Sequence, residues 1–202
     1  MGKLKGLLLT EGLHGMISQV EGLAKALDLD YFHEKVELNS FWKLIPPKFT
    51  PVKKFVFKNN IKRNFDIIIS CGRKSVIPSI FLKKNNSKKI KNIHVQDPKV
   101  NFKNFDYIIS PEHDDLKGDN ILSSKGAIHY LTSEEINEKK NYLLEKISNE
   151  KKIITLILGG PTKYYAYSNQ NLLDIFSKIS KQILNNNFQV IVIPSNRTPS
   201  RT

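Results

Sequence analysis

Apolar positions along the chain fall into short β-branched runs and longer stretches of helical spacing, and the two kinds alternate. Leu4–Thr10 is a compact apolar run that stops at Glu11-Gly12, which predicts a strand and a turn. Ile17, Val20, Leu23, Ala24 and Leu27 recur at helical spacing within Met16–Leu27. Leu29–Leu38 reads as a second strand. Phe41–Pro51, punctuated by Pro46, Pro47 and Pro51, reads as a loop, and Val52–Lys62 as a basic amphipathic helix. The runs Phe65–Ser70 (FDIIIS) and Phe105–Ser110 (FDYIIS) echo each other, with a short strand at Ile93–Val95 between them. A helix is expected over Ser133–Ile147, with Thr132 or Ser133 as its N-cap. Lys152–Leu158 (KIITLIL) is another buried-strand pattern, halted by Gly159-Gly160-Pro161. An amphipathic helix over Ser168–Leu184 and a strand over Phe188–Ile193 follow.

Strands without strict alternation, separated by helices, indicate a parallel α/β sheet covered on both faces, a Rossmann-like domain. The charged stretch Asn137–Lys152 is read as a junction. It divides the chain near Glu150 into a first domain, 1–150, and the beginning of a second Rossmann-like domain, 151–202. Only a strand, a helix and a strand remain after that junction. The second domain is therefore expected to be incomplete and the chain a truncated product.

Charge adds one constraint. The formal net charge is +13 and the isoelectric point about 9.7, which favours anionic partners: phosphorylated small molecules or an acidic lipid surface. Lys, Asn and Ile are heavily used throughout and no nucleic-acid motif accompanies the charge, so nucleic acid is not an expected partner. Cys71 is the single cysteine, which rules out an internal disulfide and suits a reducing cytosol. No apolar run approaches the roughly 20 residues of a membrane span. The expected location is cytoplasmic, with peripheral attachment at the inner membrane face as an option.

In parallel sheets ligands sit beyond the carboxyl ends of the strands, so the loops there carry the candidate chemistry. In the first loop, Gly12 and Gly15 allow close backbone approach ahead of a helix N-terminus, where N–H groups can meet an anion. His14 is a candidate general base or a turn residue, and Gln19 falls on the first helical turns. The loop lacks the G-x-G-x-x-G dinucleotide fingerprint. The second loop offers Gly72 and the planar fork of Arg73 for phosphate or carboxylate, with Cys71 read as a buried thiol. Gln96 and Asp97 form the third. The fourth, Ser110–Asp115, is the densest titratable cluster, and Glu112, His113 and Asp114 are its candidates for acid–base catalysis. One His among carboxylates, with no ligand spacing elsewhere, does not make a metal site, so no metal is expected. The fifth loop, with Gly159, Gly160 and Thr162, and the sixth, with Ser195, Arg197 and Thr198, suit a phosphorylated ligand. Neither has the Walker A spacing that nucleotide hydrolysis would require.

The ordered set GLHGMISQVEGLAKAL, DIIISCGRKSVIP, VQDPK, FDYIISPEHDDLKGDNIL, GAIHYLT, LILGGPT and SNRTP resembles the mitochondrial-fission family named for elongated mitochondria in plants, the Elm family. PEHD and the combination of SCGRK with QDP weigh most. The resemblance implies a GT-B glycosyltransferase-like fold, with two facing Rossmann-like domains, the acceptor on the first and a nucleotide-sugar on the second. It implies metal-independent transfer with no cofactor, the nucleotide-sugar being the substrate. His14, Glu112, His113 or Asp114 would take the acceptor proton, with Gly12, Gly15, Gln19, Gly72, Arg73, Gln96 and Asp97 around the acceptor. Gly159, Gly160, Thr162, Ser195, Arg197 and Thr198 would hold the diphosphate. Asn196 stands where the family usually has Arg. The family's later second-domain motifs do not occur, so the fragment is expected to be inactive alone. The alternative implied by the fission connection is a non-catalytic protein that recruits or binds partners at a membrane. A nucleoside-diphosphate-sugar epimerase is disfavoured, because it would need the dinucleotide fingerprint and a helical Tyr-x-x-x-Lys dyad, and neither is read in the sequence.

Overall fold

The computed structural model describes residues 2–148, 150–162, 165–166, 168–195 and 198. The chain divides into two compact units, Met1–Leu131 and Thr132–Thr202. This packing division and the junction near Glu150 differ in which unit takes the helix Ser133–Leu144.

The first unit is a six-stranded sheet of β1 (Lys5–Thr10), β2 (Asp30–Lys35), β3 (Ile67–Cys71), β4 (Lys91–Val95), β5 (Tyr107–Pro111) and β6 (Ile121–Ser124), in the order β2-β1-β3-β4-β5-β6. Every neighbouring pair is parallel, for example Leu8↔Ile69 between β1 and β3. The sheet is Rossmann-like, as the alternating pattern predicts. Strand side chains alternate between its faces, and both faces are buried. Leu7, Leu9 and Ile68 pack with Val76, Ile77 and Ile80 of helix α2 (Val76–Lys84). Leu8, Ile69 and Val95 pack with Val20 and Ala24 of helix α1 (His14–Ala26). Gly22 permits α1 to lie directly on the chain that follows β6, since a Cβ there would stand 2.4 Å from the His129 carbonyl oxygen. The chain leaves β1 for β2 on one side and returns to β3 on the other, which opens a crevice at the carboxyl end of β1.

Three elements differ from expectation, the first being α2, for which no helix is read in the sequence. The basic helix over Val52–Lys62 does not form: a 3-10 turn at Lys54–Val56 leads into extended Phe57, which bridges antiparallel to Leu38. Adjacent Val56 and Phe57 are both buried, at 0% and 2% exposure. The aromatic and β-branched residues there have weak helix propensity, so the core decides their backbone. The strand β6 has no counterpart in the sequence reading; ILSS is a short edge strand with little apolar signal of its own.

The second unit holds helix α3 (Ser133–Leu144), strand β7 (Lys152–Leu158), helix α4 (Asn169–Asn185) and strand β8 (Phe188–Pro194). Thr132 forms a capping box: its Oγ1 accepts from the Glu135 amide at 3.2 Å, and its amide donates to Glu135 Oε2 at 3.0 Å. Ser168 caps α4 by accepting from the Asn171 amide at 3.1 Å. The strands pair in parallel along their whole length, from Lys152↔Phe188 to Leu158↔Pro194. Among the described residues no helix is long and apolar enough to cross a membrane.

Candidate functional site

Strand order places β4 beside β5, so the loops that leave their carboxyl ends share one space. A cleft of about 480 Å³ lies there, lined by Gln19, Gln96, Asp97, Lys99, His113 and Asp114, with Pro111 and Ala127 completing it. The Gln96 amide donates to the Ile109 carbonyl at 2.8 Å, which extends the ladder one step beyond β4. Its φ of 80° is a conformation that side chains rarely adopt, and it turns the backbone sharply away from the sheet. The Gln96 side-chain amide reaches back to Gln19 Oε1 on α1, at 3.4 Å. Asp97 Oδ1 accepts from the Lys99 amide at 2.8 Å, an Asx-type turn that aims Lys99 back at the carboxylate. Hydrogen bonding to Asp97 raises the Lys99 ammonium above its ordinary value.

The 3-10 turn Glu112–Asp114 follows β5 and ends at Asp115 in the left-handed conformation, φ 46°. Buried Ser110 donates its hydroxyl to Asp114 Oδ2 at 2.9 Å, and His113 Nε2 lies 3.7 Å from Asp114 Oδ1. The carboxylate is thus held from below by the strand and flanked by an imidazole. A fixed carboxylate, an exposed imidazole and two side-chain amides can accept a proton from a hydroxyl group and hold its neighbours.

Five sequence candidates, Gln19, Gln96, Asp97, His113 and Asp114, therefore meet in one cleft. Exposed Glu112 does not line it, nor do His14 and Gly15 at the exposed start of α1. Gly12 is held in its turn by donating to Thr10 Oγ1 at 3.0 Å, and Thr10 Oγ1 in turn contacts His33 Nε2 at 2.7 Å. Gly72 is required structurally: its φ is 92°, and a Cβ would sit 2.6 Å from Met16 Sδ. Arg73 donates to the Lys43 carbonyl and so holds the β2–β3 connection. In the second unit Ser195 and Thr198 converge on the end of β7. The Thr198 hydroxyl donates to the Gly159 carbonyl at 2.7 Å and accepts from the Ser195 amide at 2.8 Å. The Thr162 amide and hydroxyl form a local turn with Tyr165, with Gly160 in the same loop. Arg197 lies outside the described residues.

The sequence reading missed Lys99, although Asp-Pro-Lys after a strand is a turn signal that would have found it. It also missed a crevice pair at β1 and β3. Glu11 Oε2 meets Lys74 Nζ at 2.8 Å, and Glu11 Oε1 accepts from the Lys74 amide at 3.0 Å. Burial alone would raise the Glu11 carboxyl, but the hydrogen bonds and charge of Lys74 outweigh it and hold the group below its ordinary value. On the interior strand β4 His94 is fully buried, bonded through Nδ1 to Ser70 Oγ at 2.9 Å, and burial pushes it down to about 3. It is a neutral structural imidazole. Burial, with Glu11 adding, pushes the Cys71 thiol up to about 12, which removes it as a nucleophile. A larger hollow of about 720 Å³, bounded by Phe102, Lys103 and Asn120, opens at the amino ends of β5 and β6, away from this chemistry. Among the described residues no three of His, Cys, Asp and Glu are grouped to hold a metal ion. Tyr142 and Lys146 do stand at Tyr-x-x-x-Lys spacing, which corrects the sequence reading. Lys146 bonds to the Tyr142 hydroxyl, both residues are exposed, and neither lines the cleft.

No curated protein matches the chain. The family model for mitochondrial fission ELM1 matches residues 14–202, which include every cleft residue and most of both compact units. The chain belongs to the mitochondrial fission ELM1 family.

Proposed function

We propose that this protein is a GT-B-type glycosyltransferase that moves a sugar from a nucleotide-sugar to a hydroxyl acceptor, with the acceptor seated in the β4–β5 cleft. The observation that carries the reading is the convergence of Asp114, His113, Gln96, Gln19 and Asp97 beyond the carboxyl ends of two adjacent parallel strands. The Asp114 carboxylate, oriented by Ser110, takes the acceptor proton, with His113 beside it. The acceptor oxygen then bonds to the sugar's anomeric carbon as the bond from that carbon to the diphosphate breaks. Gln19, Gln96 and Asp97 hold the acceptor's other hydroxyls. The diphosphate is assigned to the loops at Gly159–Thr162 and Ser195–Thr198, where amides and hydroxyls gather at strand ends. Neither metal nor cofactor is part of this reading.

A thermal-shift screen against UDP-, GDP-, ADP- and CMP-sugars tests the donor. One nucleotide should stabilise the protein by roughly 2–3 kcal/mol at a hundredfold excess over its dissociation constant. Asp114→Asn should keep that shift and lose sugar transfer by about 10²–10⁴-fold. A cooperative melt that no nucleotide-sugar moves would leave the second reading, a non-catalytic recruitment protein. That reading is favoured by one observation, the exposed apolar residues of the β2–β3 connection.

A further inference from the structure

The connection from β2 to β3 contains the most concentrated unpartnered surface of the first unit. Between Glu37 and Asp66 stand six lysines and Arg63, and no carboxylate. Within the same stretch Phe41, Leu44, Phe49 and Phe55 are 64%, 81%, 71% and 58% exposed. Single exposed apolar residues are ordinary, but here four fall within fifteen positions, and Phe41 and Phe55 are joined through Trp42. Phe41 packs edge-on against Trp42 at 4.9 Å between ring centres, and Trp42 lies 5.8 Å from Phe55.

The base of this loop is closed and rigid. Leu38 pairs with Phe57, the Asn39 amide donates to the Val56 carbonyl at 3.0 Å, and Lys58 donates to the Glu37 carbonyl at 2.8 Å. Asn59 adds hydrogen bonds to the Glu37 amide and the Lys35 carbonyl, each 2.8 Å. Buried Val56 and Phe57 anchor it in the core, while Arg73 pins Lys43 from the carboxyl end of β3. A fixed loop therefore presents its rings and lysines outward, with Lys43 held beside the carboxyl end of β3.

We infer that the loop Asn39–Phe57 is a docking element for an anionic bilayer surface. Phe41, Leu44, Phe49 and Phe55 enter the headgroup–acyl boundary, and Lys43, Lys48 and Lys53 meet lipid phosphates. Charge complementarity selects this occupant, since the loop's four lysines, within a stretch of seven cations between Glu37 and Asp66, stand without one carboxylate and suit an acidic surface. Leu44, the most exposed of the four, separates it from nucleic acid: it cannot stack on a base, whereas it partitions into acyl chains. The inference does not rest on glycosyl transfer, and it replaces a docking helix over Val52–Lys62 with a non-helical loop.

Trp42 is the only tryptophan, so its fluorescence reports on this loop without any substitution. The protein is titrated with vesicles of phosphatidylcholine and phosphatidylglycerol in equal parts, with brominated acyl chains as quenchers, and with pure phosphatidylcholine as control. Binding to the mixed vesicles alone is expected, with Trp42 quenched and affinity falling as salt rises. Leu44→Ala with Phe49→Ala should weaken binding on the order of a hundredfold. Lys43→Ala, Lys48→Ala and Lys53→Ala together should weaken it by a similar factor. All of these side chains project from the surface, and an unchanged melting temperature confirms the fold. Absence of binding, binding without quenching, or variants that bind like the parent would each overturn the inference. So would equal binding to neutral vesicles, or tight binding to a DNA duplex that displaces the mixed vesicles.

Discussion

The strands β3 and β7 read alike in sequence, IIISC and KIITLIL, and meet opposite fates. In β3 every residue after Ile67 is buried, while in β7 only Leu158 is, and Ile157 is 75% exposed. The first unit covers both faces of its sheet with α1, α2 and the β2–β3 connection. Among the described residues of the second unit, only Leu158 and Leu172 are buried apolar side chains. A parallel strand is stable in proportion to what covers it, and apolar character alone does not create cover. The two units should therefore differ in stability far more than their compositions do.

The largest expected contrast comes from truncating matched residues. Ile69→Ala in β3 should cost about 3–4 kcal/mol in chemical denaturation, and Ile157→Ala in β7 less than about 0.5 kcal/mol. Equal costs would show that β7 is covered in solution. The next concerns pH. His94 is neutral in the fold, about 3 against an ordinary 6.5, so the unfolded chain binds the extra proton between those values. Stability is complete above pH 6.5 and lost as pH falls, by about 1.4 kcal/mol per unit and hence about 2 kcal/mol at pH 5. His94→Gln should flatten that slope in the first unit's denaturation. Glu11, also depressed, adds a loss below its ordinary 4.5, which Glu11→Gln should remove. Gly72→Ala follows, at about 2 kcal/mol from the left-handed backbone and the clash with Met16; adding Met16→Ala should recover only the steric part. The smallest is Thr132→Ala, which breaks the capping box and should cost about 1 kcal/mol, seen as faster amide exchange at the start of α3.

Much of the fold was legible. The alternation of strand and helix patterns, the N-cap at Thr132 and the run KIITLIL are local signals, and the strands and helices read from them, the Val52–Lys62 helix aside, formed within a few residues of their expected bounds. The basic stretch Val52–Lys62 was misread because its apolar residues also fit a helical face, while burial of Val56 beside Phe57 demands a turn and an extended chain. The site was legible as a set of loops and less so as a cleft. Glu112, His113 and Asp114 are consecutive, yet the turn sends Glu112 away from the other two. Gln19 lies far from Gln96 in sequence and touches it in space. Arg73 carries the chemistry of an anion ligand and serves as a brace for Lys43.

By itself the sequence determined most of the element types, the parallel class of the sheet and the positions of the loops that bear polar groups. Those follow from side-chain periodicity and turn chemistry over a few residues. Only the tertiary structure decided that β4 lies beside β5, that Gln19, Gln96 and Asp114 share a cleft, that Glu11 finds Lys74, and that Phe41, Trp42 and Phe55 form one exposed face. Strand order and cross-chain contacts come from burying apolar surface between distant segments, and no local pattern encodes which segments those are.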